Sequence, residues 1–343
     1  MIDSCSYIGG EEVRGFEREL PEWLGVAEAC GTGCATFGLF AAVRSLGIGP
    51  GDEVLTTVHT AIPTAEAITL SGARVIFCDI DPHTFNIDPE DLRDRITGRT
   101  KAVVVHLYGQ PADLDRVMET AREAGPKVIE DCAQALGARY KARYAGTLGD
   151  VGVFSFFPSK PLGGFGDGGA VIARDPGRLK WIRMFSNHGR EEKYVHQFEG
   201  TNSRLDAIQA ALLRVCLPHL EEWNRLRRKA ARTYTERLSA VEEVQVPAET
   251  PGAEPVYPAY CIVVPDRDDL RRHLEAREVS TGIHYPIPLH LQPAYANRGR
   301  VQGHFPRAEY ACGHMLSLPL FPGITPEEVG YVCDCMTDYF GRR

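Results

Sequence analysis

Phe154-Ser155-Phe156-Phe157-Pro158-Ser159-Lys160, followed closely by Gly163-Gly164-Phe165-Gly166-Asp167-Gly168-Gly169, is the stretch on which the reading of this chain turns. A lysine closes an apolar strand just ahead of a glycine-dense turn. Upstream, Val128-Ile129-Glu130-Asp131-Cys132-Ala133-Gln134 brings a second apolar strand to an end in two acids. Strands that are apolar throughout, rather than alternating, are buried on both faces, as in a mostly parallel sheet covered by helices. Working outward, further runs of this kind are expected at Glu53 to Val58, Arg74 to Ile80, Ala102 to Leu107 and Gly169 to Ile172. Helical patterns such as Thr64 to Leu70 and Leu114 to Glu123 lie between strands. The fold class is therefore α/β.

The 343 residues suffice for a large domain, expected over 1–235, and a smaller α/β domain over 236–343. A helical pattern from Ser203 to about Ala240, with a break at Pro218, reads as the connector between them. Val244 to Pro258, rich in Pro and Glu, reads as a linker. Tyr260 to Val264, Asp268 to Ala276 and Thr281 to Tyr285 suggest strand, helix and strand. A last helix is expected over Pro326 to Phe340, capped by Thr325.

A hydrophobic content of 43%, a charged content of 24% and a net charge of -8 describe an ordinary globular protein without the broad basic footprint of a nucleic-acid binder. No apolar run has membrane-spanning length, and the N-terminus lacks a signal peptide's charged-then-apolar order. Ten scattered cysteines with no CxxC pair argue against a disulfide framework or a metal site, and for reduced thiols in a cytoplasmic protein.

Five features carry chemistry. Lys160 has apolar neighbours that favour an uncharged, nucleophilic amine, although a strand-end lysine read alone points into water. Asp131 ends a strand where ligands of parallel sheets gather. It suits a pyridinium nitrogen, a ribose hydroxyl, a metal or the cap of the next helix. Gly31-Thr32-Gly33-Cys34-Ala35-Thr36 opens an amphipathic helix, and its backbone suits a phosphate, with Thr32 and Ser155 as hydroxyl donors. It is not a P-loop, and Thr36 stands where a dinucleotide fingerprint needs its third glycine. Gly166-Asp167-Gly168-Gly169 would let the lysine-bearing loop fold tightly. Gly200-Thr201-Asn202-Ser203-Arg204-Leu205-Asp206 enters the long helix, either with Asn202 or Ser203 as cap or with Arg204 reaching an anion in a partner subunit. A buried lysine beside an acid from a neighbouring strand is what a pyridoxal phosphate enzyme needs: the amine forms a Schiff base, and the acid keeps the pyridine nitrogen protonated.

In order and spacing, these motifs together resemble the DegT/DnrJ/EryC1/StrS family of PLP-dependent sugar aminotransferases. The resemblance runs from about Tyr7 to the C-terminus. It implies the fold type I architecture, with a large seven-stranded mixed sheet and a homodimer that shares its active sites. By the same resemblance Lys160 is the Schiff-base lysine and proton shuttle, Asp131 the partner of the pyridine nitrogen, and Gln134 a contact to the cofactor's phenolic oxygen. Thr32, Gly33 and Ser155 are phosphate contacts, with Asn202 or Arg204 contributed across the interface. The cofactor alternates between pyridoxal phosphate and pyridoxamine phosphate, and L-glutamate is the expected donor. Asn202 to Asp206 and His284 to Tyr295 look like members that aminate C-3 of nucleotide-linked 3-oxo-deoxyhexoses, with His284 and Tyr285 near the substrate. The alternatives are a keto-cyclitol or C-4 keto-sugar acceptor in antibiotic or cell-surface glycan biosynthesis, and a silent cofactor-fold protein. Dehydratase members replace the lysine, commonly by histidine, so Lys160 argues against that chemistry. Three departures stand out. Ala61 replaces the usual aromatic ring over the cofactor, leaving His59 or nothing to stack. Pro258 replaces a common histidine. The chain begins almost at the segment matching Ser6 to Gly10, so an N-terminal arm at the dimer rim is expected to be missing.

Overall fold

A computed structural model describes residues 5–105, 109–296 and 305–341. In chain order, α1 (Gly10–Leu24) and β1 (Cys30–Thr32) are followed by α2 (Ala35–Ser45), β2 (Glu53–Thr57), α3 (Ile62–Leu70), β3 (Arg74–Cys78), α4 (Pro89–Arg95), β4 (Thr100–Val105), α5 (Leu114–Ala124) and β5 (Lys127–Asp131). The last expected residues of the fourth strand, His106 and Leu107, lie outside the described residues. A small hairpin of β6 (Arg139–Tyr140) and β7 (Arg143–Tyr144) leads to β8 (Val151–Ser155), β9 (Gly169–Ala173) and α6 (Pro176–Phe185). An exposed hairpin, β10 (Arg190–Glu192) and β11 (Val195–His196), precedes α7 (Ala207–Cys216) and α8 (Leu220–Leu238). The remainder comprises β12 (Ala253–Glu254), β13 (Tyr260–Val263), α9 (Arg267–Glu275), α10 (Pro293–Ala296), α11 (Pro306–His314), β14 (Met315–Leu318) and α12 (Pro326–Gly341).

Seven strands form one sheet in the order β1-β9-β8-β5-β4-β2-β3. The β3-β2-β4-β5-β8 run is parallel, and β9 is antiparallel to both of its neighbours. β2 and β8 are buried at every position, which is why their sequences are continuous rather than alternating. Helices cover both faces. α2, with Leu39, Ala42 and Val43, packs in one core with Ile129, Val153 and Val171. α1 and α7, with Phe16, Leu20, Ala210 and Leu213, pack in another with Phe154 and Phe156.

Glu130 is wholly buried, and three backbone N–H groups of the loop before β8 hold its carboxylate. Gly146 N donates to Oε2 at 2.7 Å, and Leu148 N and Gly149 N donate to Oε1 at 2.7 and 2.5 Å. A buried charge is tolerable only when solvated in this way by the protein. The bonds pin the loop that delivers β8 to the sheet edge of β5.

The smaller lobe is built on the antiparallel pair β13–β14. Its core holds Tyr234 and Leu238 from α8, Tyr260 and Ile262, Leu270 and Leu274, Leu316 and Leu318, and Val332 and Met336 from α12. A further cluster joins the lobes: Val58, Ala65 and Phe77 of the large sheet region pack with Cys261, Val263, Leu289 and Met315. The long helical pattern breaks at Leu217–His219 as the proline requires. Thr325 caps α12 reciprocally, with Glu328 N donating to Thr325 Oγ1 at 3.1 Å and Thr325 N donating to Glu328 Oε2 at 2.8 Å.

Three local expectations change. The segment expected as a linker is strapped to the large lobe: Lys141 N donates to Gly252 O, Val256 N donates to Gly109 O, and β12 pairs with β6. Thr281 to Tyr285 is not a strand. Only Gly282 bridges Ser317, because the next two prolines cannot continue a ladder. Neither Asn202 nor Ser203 caps α7. Its N-cap position is Asp206, without a side-chain cap bond, and the Ser203 hydroxyl accepts from Gly33 N instead.

Replacing Glu130 by Gln keeps the volume but turns an NH2 group toward a backbone donor. Glu130→Gln is expected to lower unfolding free energy on the order of 2 kcal/mol in urea titrations, at unchanged secondary structure.

Candidate active site

The register of the sheet places the first half of the site. Thr32 on β1 and Ser155 on β8 both lie opposite Gly169 on β9, so the two residues flank a glycine at one sheet edge. A Cβ at Gly169 would stand 2.7 Å from Ala35 N and 2.9 Å from Thr32 Oγ1. The missing side chain lets β9 pack directly against the backbone at the start of α2, a helix N-terminus whose dipole favours an anion. Thr32 is fully buried, and its hydroxyl donates to Cys34 O at 3.1 Å. Ser155 Oγ accepts from Phe157 N at 3.3 Å.

The second half gathers at the C-terminal ends of β5 and β8. Lys160 sits in a turn closed by its own N–H donating to Phe157 O at 2.8 Å. The following loop returns to the sheet through Gly164 N to Phe156 O at 2.7 Å and Phe156 N to Gly168 O at 2.9 Å. Gly163 is required here, because a Cβ would meet Pro158 O at 2.3 Å. Gln209 of α7 fastens the loop by accepting from Phe165 N at 2.8 Å. Burial lowers the Lys160 amine from its ordinary range, and the nearby charge of Asp131 opposes that shift.

Asp131 accepts from Thr64 Oγ1 at 2.7 Å on Oδ2 and from Ala133 N at 3.1 Å on Oδ1. Gln134 Nε2 donates to the Tyr285 hydroxyl at 3.3 Å. Burial, and then the charge of Asp131, push the Tyr285 phenol up to about 12, so it stays protonated at neutral pH. His284 is half-buried with Nδ1 2.8 Å from Ser317 Oγ, and burial and the Lys160 charge lower its basicity. The small lobe therefore lays His284 and Tyr285 over the lysine and the aspartate.

Of the residues singled out in the sequence, Lys160, Asp131, Gln134, His284 and Tyr285 converge, while Thr32, Gly33 and Ser155 lie at the β1–β9–β8 edge beside the start of α2. Asn202 and Arg204 stand apart. Asn202 is exposed and bridges Asn187. Arg204 bridges Thr32 through the backbone and donates from Nη1 to Asn187 Oδ1 at 3.0 Å. The Arg204 side chain lines a cleft of about 250 Å³ with Ile8, Cys30 and Arg183, which does not include Lys160. His59 is not placed to cover a cofactor. Its ring is completely enclosed and bonded to the backbone of His284. The sequence reading missed this latch, and it missed Thr64. Both lie in a His-Thr-rich stretch, 59–64, that reads locally as a helix start.

The donor set fits a phosphorylated pyridine aldehyde: a largely buried amine, a carboxylate, an amide and the N-terminus of a helix beside two hydroxyls. No group of three or more His, Cys, Asp or Glu among the described residues is arranged to hold a metal ion.

The sequence model of the DegT/DnrJ/EryC1/StrS aminotransferase family matches residues 1–337. The chain is 42% identical to a pleiotropic regulatory protein of Geobacillus stearothermophilus, over 99% of this chain and 92% of that one. It is 41% identical to the dTDP-3-amino-3,4,6-trideoxy-alpha-D-glucose transaminase of Streptomyces venezuelae, over 100% of this chain and 90% of that one. The crystal structure of S. venezuelae DesV in complex with a ketimine intermediate superposes with a TM-score of 0.97. It is 40% identical, and the match covers 100% of this chain and 92% of that one.

Gly169→Ala is expected to lower unfolding free energy by roughly 1–3 kcal/mol in urea titrations, because its Cβ would press on the backbone of Cys34 and Ala35. His59 has a sharper pH signature. Burial holds its pKa down to about 4, whereas the unfolded chain titrates near the ordinary 6.5. The unfolded state therefore takes up a proton that the folded state refuses, and stability is lost as pH falls from about 6.5 to about 4, by up to about 3 kcal/mol. Urea unfolding of His59→Gln across that window should show a flatter pH dependence than the parent.

Proposed function

Because the chain belongs to the DegT/DnrJ/EryC1/StrS aminotransferase family, we propose that it moves an amino group from L-glutamate to C-3 of a nucleotide-linked 3-oxo-deoxyhexose in deoxyaminosugar biosynthesis. The observation that carries this reading is the meeting of Lys160, Asp131 and Gln134 beneath His284 and Tyr285. The enzyme is an aminotransferase that uses pyridoxal phosphate. When bound, the cofactor supplies an electron sink for the pair released as a substrate C–H bond breaks.

The chain supplies the rest. Lys160 Nζ, whose basicity burial lowers, would hold the cofactor covalently and would carry the proton to and from the substrate carbon. Asp131 holds the proton on the ring nitrogen. Thr32, Gly33, Ser155 and the start of α2 hold the phosphate. His284 and Tyr285 face the acceptor sugar.

The working form is read as a homodimer with shared sites. Phe157 and Phe165 flank the lysine loop at 51% and 79% exposure, and Tyr194 at the tip of the β10–β11 hairpin is 82% exposed. A second copy would cover these rings and bring Asn202 or Arg204 toward the cofactor of its neighbour. One relative is named a pleiotropic regulatory protein, and others are named transaminases; turnover of the pyridoxamine phosphate form with a keto sugar separates catalysis from silent cofactor binding.

The enzyme charged with pyridoxamine phosphate is to be incubated with nucleotide-linked 3-keto and 4-keto hexoses and with keto-cyclitols. The expected result is a mass gain matching amination of a 3-keto sugar alone. Amination of only a cyclitol or a 4-keto sugar would overturn the C-3 assignment. Borohydride reduction of the holoenzyme should fix the cofactor on the peptide carrying Lys160.

A further inference from the structure

Thr64 lies in the first turn of α3, where a threonine hydroxyl ordinarily turns back to its own backbone or to solvent. Here it bonds a carboxylate 67 residues away, reaching Asp131 Oδ2 at 2.7 Å. Thr60 Oγ1 stands 3.3 Å from Thr64 Oγ1, and both residues are buried. Proton counting fixes the direction. An ionised carboxylate only accepts, so Thr64 donates to Asp131. That uses the single proton of its hydroxyl, so Thr60 donates to Thr64. The second carboxylate oxygen is already engaged by Ala133 N. Asp131 also lies beside the first turn of α3, whose dipole favours negative charge.

We propose that the Thr60–Thr64 hydroxyl pair is a positioning device for Asp131: it keeps the carboxylate ionised and aimed, so that the proton shared with the ring nitrogen of bound pyridoxal phosphate rests on the nitrogen. The inference rests on the reading of Asp131 as the partner of that nitrogen. The proton between a pyridine nitrogen and a carboxylate goes to the stronger base. Hydrogen bonds donated to the carboxylate make it the weaker one. Removing the Thr64 hydroxyl strengthens the carboxylate as a base and draws the proton toward Asp131. The ring then loses part of its capacity as an electron sink. Thr64 is a positioning residue in this scheme, because it touches Asp131 and no reacting atom.

The test uses holoenzyme loaded with pyridoxal phosphate that is 15N-labelled at the ring nitrogen. In Thr64→Val, which keeps the shape and loses the hydroxyl, the ring-nitrogen resonance is expected to move toward that of unprotonated pyridine. Both half-reactions should slow about tenfold or more, the loss expected for a hydrogen bond to a charged group. Thr64→Ser should restore both. Thr60→Val leaves the Thr64–Asp131 bond in place and should displace the resonance in the same direction by less, which keeps the question open to measurement even if Thr64→Val folds poorly. An unmoved resonance in both valine variants, or a serine variant that behaves like valine, overturns the proposal. Asp131→Asn serves as the control. If it leaves the nitrogen resonance where it was, the assignment of Asp131 itself falls, and the relay with it.

Discussion

Two consecutive carboxylates end β5, and the two-residue repeat of a strand sends them to opposite faces. Glu130 goes into the protein, where Gly146, Leu148 and Gly149 bind it through their backbone N–H groups. Asp131 goes to the ligand side. The first acid is the condition for the usefulness of the second. By fixing the 146–149 loop it fixes where β8 enters the sheet, hence that Ser155 lies opposite Gly169 and that Lys160 emerges next to Asp131. Gly152 shows how little slack exists there, since a Cβ on it would meet Gly146 O at 2.3 Å. A polar interaction on the far side of the strand thus sets the geometry of the chemistry on the near side.

Around that edge, the site is assembled from parts with different physical duties. The edge read as the phosphate end is made of backbone, two hydroxyls and a glycine at the start of α2. The amine end is made of burial, which lowers the basicity of Lys160 against the pull of Asp131. The upper wall comes from the small lobe and is held from below. The enclosed ring of His59 bonds the backbone of His284, Gln134 bonds Tyr285, and Ser317 on β14 bonds the His284 ring. Each wall residue is thus fixed by a hydrogen bond from a neighbour.

Sequence reading recovered what leaves a local trace. Apolar runs located every strand of the large sheet except β1, Pro218 located the break between α7 and α8, and Thr325 with Pro326 located the start of α12. Lys160 and Asp131 were legible because each closes an apolar run with a charge. What escaped was long-range. Thr64 meets Asp131 across 67 residues and Ser203 meets Gly33 across 170, so neither bond alters a periodic pattern. Segment 244–258 looked like a linker because its prolines and glutamates suppress helix and strand signals. Those features do not prevent scattered backbone bonds to a surface already formed. His59 read as a possible stacking ring, but its position between the lobes could be known only from the fold.

The cluster that joins Val58, Ala65 and Phe77 to Cys261, Val263 and Met315 has a consequence for the molecule as a whole. Two lobes with separate cores and a bare connector would melt as two independent units. These two share apolar side chains beneath the site, and the 248–256 strap adds backbone bonds between chain segments on either side of α8. Opening one lobe therefore exposes part of the other, and heat or denaturant meets a single cooperative unit rather than two.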